Sequence, residues 1–143
     1  MAKKALTLKY YEAVGRRKSA VARVRLYVVD KSGSVSVDGV NIKKGELVIN
    51  KKSRKEDSLK VPLKLTENEG RFAISVLVKG GGKRGQLDAV VHGLSRAIEK
   101  VDKDQYRNTL KKAGLLKRDS RVKERRKVGR GGKARRQKQS PKR

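Results

Sequence analysis

The sequence predicts an α+β domain, a four-stranded, mainly antiparallel sheet with helices on one face, followed by an extended basic tail. Three observations predict it. Period-two alternation recurs between residues 20 and 78, the period becomes helical from residue 86, and the composition breaks after Leu116.

The first strand is expected at Ala20 to Val29, where Ala20, Ala22, Val24, Leu26 and Val28 share one face and Arg23, Arg25 and Tyr27 the other. Ser34 to Ile42 holds two short alternating runs joined by Asp38-Gly39, a strong signal for a tight hairpin. A short helix near Gly45 to Ile49 and the lysine-rich loop NKKSRKEDS come next. Strands are expected at Val61 to Leu65 and Phe72 to Val78, separated by the turn-like Glu67 to Gly70. After Gly80-Gly81-Gly82, the residues Leu87, Val90, Val91, Leu94, Ile98 and Val101 form one stripe of an amphipathic helix, which must lie on the sheet. A last short helix is expected at Asp104 to Lys112, ended by Gly114.

Residues 1–116 fit one small globular domain, and residues 117–143 form the tail. The tail holds fourteen Lys and Arg against Asp119 and Glu124, with Val122, Val128 and Ala134 as its only apolar side chains. So little apolar area cannot offset chain entropy, and the like charges repel; the segment is expected to order only against a polyanion. Of the net charge of +27, the tail carries +12, which leaves +15 on the domain. Both parts therefore call for an anionic partner.

The absence of cysteine removes disulfides and thiolate metal sites. The first residues lack a signal-peptide core, and no run approaches the ~20 apolar residues of a membrane span, so a soluble intracellular protein is expected, with no membrane partner. Catalysis is not supported. His92, the only histidine, falls away from the apolar stripe and is expected to be exposed, with Asp88 four residues earlier but no nucleophile. Asp88 suits the first turn of its helix, and Glu99, Asp102 and Asp104 read as surface or helix-boundary charges. GGGKRG at Gly80 to Gly85 has glycines before a helix but not the spacing of a nucleotide-binding loop. It reads either as a plain strand-to-helix turn or as a turn that, with Lys83 and Arg84, packs against nucleic-acid backbone. No metal, cofactor or small-molecule substrate is expected. Aromatic residues are few and no aromatic-rich strand offers a stacking surface, so base-by-base recognition is not expected; dense Arg and Lys suit phosphates and the shape of folded RNA.

The blocks YYEAVGRRKSAVARV (residues 10–24), VKGGGKRGQLDAVVHGLSRAIEKVD (78–102) and LKKAGLLKRDSRVKERRKVGRGGKARRQKQSPKR (110–143) together resemble the bacterial form of small-subunit ribosomal protein nine. The resemblance implies a domain like the second domain of small-subunit ribosomal protein five, with a left-handed βαβ crossover. It also implies a cytoplasmic place in the head of the small ribosomal subunit among other head proteins, a tail that threads inward, and contact with the peptidyl-site tRNA. Carried over by residue, it assigns Arg16, Arg17, Lys18, Gly80, Gly81, Gly82, Lys83, Arg84, His92, Arg96, Arg118, Arg121, Arg125, Arg126, Lys127, Lys133, Arg135 and Arg136 to ribosomal RNA. Lys142 and Arg143 are assigned to tRNA. The tail departs from the family at Gln139 to Pro141, where no aromatic precedes the final Lys-Arg, and Gly129 to Lys133 is a residue longer than usual. The competing classes are a free-standing nucleic-acid compactor, a chaperone-like RNA binder and an enzyme.

Overall fold

The computed structural model describes residues 9–29, 33–53 and 57–135. In chain order its elements are β1 (Tyr10–Arg17), β2 (Ala20–Val28), β3 (Ser34–Val37), β4 (Val40–Lys43), β5 (Leu47–Ile49), β6 (Lys52–Ser53), α1 (Asp57–Leu65), β7 (Phe72–Lys79), α2 (Lys83–Val101) and α3 (Lys103–Lys112). The α+β class holds, but the main sheet has five strands in the order β1-β2-β7-β5-β6, and β3-β4 is a separate hairpin. Pairing is antiparallel except between β5 and β7, the parallel pair joined across α1.

Alternation explains why both faces of the sheet are covered. Leu26, Leu47 and Ile74 point into the main core beneath the helices. Their neighbours Tyr27, Val48 and Ala73 point the other way and are buried by Val35 and Ile42 of the hairpin. Tyr27 is thus core rather than surface, while Val28, at the strand end, is 41 % exposed. The hairpin turns at Asp38-Gly39 as expected, both residues having positive φ, the geometry of a tight primed turn.

Three further expectations are corrected. Leu47–Ile49 is a strand, not a helix; a short apolar run buried on two faces lacks the alternation that distinguishes the two. Val61 to Leu65 belongs to helix α1, which buries Leu59, Pro62 and Leu63 at helical spacing and leaves Val61 and Leu65 exposed. Within the lysine-rich loop, Asn50 and Lys51 make the tight turn between β5 and β6, both in the left-handed region, and the Asn50 side chain bonds both backbone groups of Val78. β1 is an additional strand where none is expected.

α2 begins three residues before Gln86. Its buried side chains are Ala89, Val90, Leu94, Ser95, Ala97 and Ile98, with Gly93 among them, while Leu87, Val91 and Val101 are only partly covered. α3 lies where the sequence places it, capped by the Asp102 carboxylate accepting from the Gln105 N–H and followed by Gly114 at positive φ.

Candidate nucleic-acid interface

β1 is the edge strand of the sheet, and its unpaired backbone groups need partners. α2 supplies them. The Arg16 N–H donates to His92 Nδ1 at 3.3 Å, Arg96 donates to the Val14 carbonyl, and Lys100 Nζ donates to the Glu12 carbonyl at 2.7 Å. Residues 92, 96 and 100 recur every helical turn, ~6.0 Å apart, while residues 16, 14 and 12 of an antiparallel-running strand recur every ~6.8 Å. The two repeats match closely enough for three consecutive bonds.

Close approach of helix and strand makes this seam possible. A Cβ on Gly15 would sit 2.0 Å from the Ala89 carbonyl oxygen and 2.3 Å from the Gly93 nitrogen, and one on Gly93 would meet Val24 Cγ2 at 2.8 Å. Ala89, Gly93 and Ala97 form a small-residue stripe facing the strand. His92 is consequently half-buried, not exposed. Because Nδ1 accepts from Arg16, the neutral ring carries its proton on Nε2, which faces the Leu116 carbonyl at 3.3 Å. Burial lowers its pKa, reinforced by the Arg96 and Arg118 charges and opposed by the bond to Leu116.

The beginning of the tail is tied to the same place. Arg17 Nη1 donates to the Arg121 carbonyl at 2.6 Å and the Asp119 carbonyl at 3.3 Å, while Nη2 lies 3.1 Å from Asp119 Oδ2 and Nε 3.5 Å from Asp88 Oδ2. Asp119 also accepts a forked pair of bonds from Arg121, and this holds its pKa far below the ordinary carboxylate range. Packing thus continues to Arg121, beyond the compositional break at Leu116. Asp88 lies past the first turn of α2 and serves as a partner of Arg17.

These contacts frame an open groove of about 940 Å³ between α1, α2 and the segment 114–121. Val61, Leu87, Val91 and Leu115 line it with apolar surface; Arg16, Lys83, Arg84, Lys117 and Arg121 bring cations to it. Lys83 and Arg84 are exposed at the N-terminus of the 19-residue helix α2, whose N-cap, Gly82, makes no side-chain capping bond. Free N–H groups and the helix dipole there favour an anion.

The glycine turn has a structural requirement of its own. Gly80 and Gly81 have positive φ, and a Cβ on either would strike the β1–β2 turn, 2.6 Å from the Ser19 oxygen or 2.9 Å from Ala20 Cβ. Lys18, in that turn, is exposed.

The structure brings Arg16, Arg17, Lys83, Arg84, His92 and Arg121 to one groove, with Arg96 beside it on the seam. It does not bring the outer tail there. Residues 122–135 contain no helix or strand, and instead of running straight the chain turns back at Gly129, Gly131 and Gly132, all at positive φ. The Lys127 N–H donates to the Lys133 carbonyl at 3.2 Å, and Glu124 accepts a forked pair from Arg135. Arg118, Arg125, Arg126, Lys127 and Lys133 are exposed. Arg136, Lys142 and Arg143 lie outside the described residues. Sequence reasoning missed Lys100, Lys117 and the pairing role of Asp119; the four-residue spacing of His92, Arg96 and Lys100 was the available signal.

Comparison with known proteins gives the family. Residues 15–143 match the family model described as ribosomal protein S9/S16. The chain is 47% identical over 120 residues to the small ribosomal subunit protein uS9 of Maridesulfovibrio salexigens, covering 84% of this chain and 87% of that protein. The chain therefore belongs to the ribosomal protein S9/S16 family, and is a ribosomal protein rather than an enzyme.

Proposed function

We propose that this protein is a structural constituent of the small ribosomal subunit in the cytoplasm, binding ribosomal RNA of the head through the groove and the tail. The observation that carries the reading is the gathering of Arg16, Lys83, Arg84, Lys117 and Arg121 on one groove beside the uncapped end of α2, continuous with a tail of fourteen cations. Phosphates fit these groups; Arg contributes forked contacts that Lys lacks.

Residues assigned to RNA divide by what the fold leaves them. Lys18, Lys83, Arg84, Arg118, Arg125, Arg126, Lys127 and Lys133 are exposed and available to phosphate. Arg17 and His92 are engaged inside the protein and act by holding the surface in place, whereas Arg96 spends one N–H on Val14 and keeps the rest. Gly80 to Gly82 let the turn approach the β1–β2 turn and a backbone partner alike. Arg136 continues the tail's RNA contacts, and Lys142 and Arg143 extend to the peptidyl-site tRNA. Other head proteins are neighbours.

Each phosphate neutralised releases counterions, so the test is the salt dependence of RNA binding. Truncation after Leu116 should flatten the slope of log affinity against log salt by several units. An unchanged slope would refute a phosphate-binding tail. Removing Lys142 and Arg143 should weaken tRNA binding to assembled small subunits without blocking assembly; normal tRNA affinity would remove that contact. A free-standing compactor would instead bind duplex DNA as tightly as ribosomal RNA.

A further inference from the structure

The groove contains more than a phosphate site requires. Four apolar side chains line it, and two of them, Leu87 and Val91, belong to the stripe of α2 yet remain only partly covered by the core. Asp88 lies among the cations with its side chain 51% exposed and Arg17 as its ion-pair partner. A carboxylate there repels phosphate and accepts hydrogen bonds. Ser58, which also lines the groove, precedes Pro62 by four residues, and proline has no N–H to give its carbonyl. Apolar walls, a basic rim and hydrogen-bond acceptors within match an unpaired nucleobase: the ring against the aliphatic side chains, the flanking phosphates on the rim, and an exocyclic amine toward Asp88. At about 940 Å³ the open groove has room for a base together with its flanking sugar and phosphates.

Building on the RNA-binding reading above, we infer that the α1–α2 groove receives a single unpaired, amine-bearing base of RNA, with Asp88 accepting from that amine. Cytosine, adenine and guanine each carry such an amine; uracil carries none and presents a carbonyl where cytosine has it.

The test uses the full chain and labelled RNA hairpins identical except for one bulged nucleotide, compared by fluorescence anisotropy at elevated salt, where phosphate attraction is weakened. Cytosine or adenine bulges should bind about tenfold tighter than uracil. Asp88→Asn should narrow that ratio to about twofold, because an amide both donates and accepts. Val61→Lys, at a 39% exposed position, should crowd the groove and abolish the preference. Equal affinity for all bulges, with steep salt dependence retained, overturns the base pocket and leaves the phosphate reading standing. A preference that survives Asp88→Asn overturns the assignment to Asp88. Absence of salt-dependent binding to every hairpin overturns both readings.

Discussion

The two flanks of helix α2 use the same residue types for opposite ends. Along the seam with β1, Arg96 and Lys100 donate to backbone carbonyls of a strand. On the groove side, Lys83 and Arg84 stand exposed at the helix start. A cation offers RNA only those N–H groups that the fold has not already engaged, and neither composition nor spacing distinguishes the two cases. His92 sits where the flanks meet, lining the groove while bonded to both β1 and Leu116, the last residue before the tail.

Breaking the seam should have the largest effect. Gly15→Ala places a methyl against backbone atoms that cannot rotate away, and about 3 kcal/mol of stability should be lost by chemical denaturation. An unchanged midpoint would mean that strand and helix are not in contact here. Next comes the tie between groove and tail: Arg17→Ala should cost about 2 kcal/mol and speed hydrogen exchange of the Leu115 to Arg121 amides. Arg17→Lys should not restore protection, since one ammonium cannot reproduce the fork.

A smaller effect should follow from pH. The folded protein holds His92 below its ordinary value of 6.5, so the unfolded chain takes up more protons as pH falls. The His92 contribution is therefore complete above about pH 6.5 and is lost as pH drops through the lower folded value. Unfolding midpoints of His92→Gln should therefore show a flatter pH dependence across that window. Lys100→Ala, at the exposed end of the seam, should cost the least, about 0.5 kcal/mol by the same measurement, with RNA affinity falling no more than for loss of one cation.

How far the sequence revealed this arrangement depends on how bulky the inward side chains are. β2, β7 and most of α2 were legible because Val, Leu, Ile and Phe mark their inward faces. β1 was not, because its helix-facing residues shrink from Tyr11 to Ala13 to Gly15 as α2 closes in, and α2 answers with Ala89, Gly93 and Ala97. A hydrophobic count gives such a contact almost no signal, although a glycine inside a strand is itself a mark of close backbone approach. Val61 to Leu65 misled in the opposite sense, its chance alternation outweighing the helical spacing of Leu59, Pro62 and Leu63. Of the candidate site, the types of residue were legible, but their allocation was not. Whether an arginine meets a carboxylate, a carbonyl or solvent is decided by elements distant in the chain, as Arg17 with Asp119 shows.

The seam also bears on what the open edge of the sheet can do before the chain meets RNA. An open edge strand invites pairing with the edge of a second copy, the first step toward aggregation. On β1 that invitation is withdrawn, since Glu12, Val14 and Arg16 already have intramolecular partners. Among the described residues the opposite edge, β6, is only Lys52–Ser53, too short to template another strand. A protein carrying +27 charges could rely on repulsion alone in water, but repulsion disappears once polyanions neutralise it. Sealing the edge with side chains keeps the sheet from self-pairing under the conditions in which charge no longer protects it.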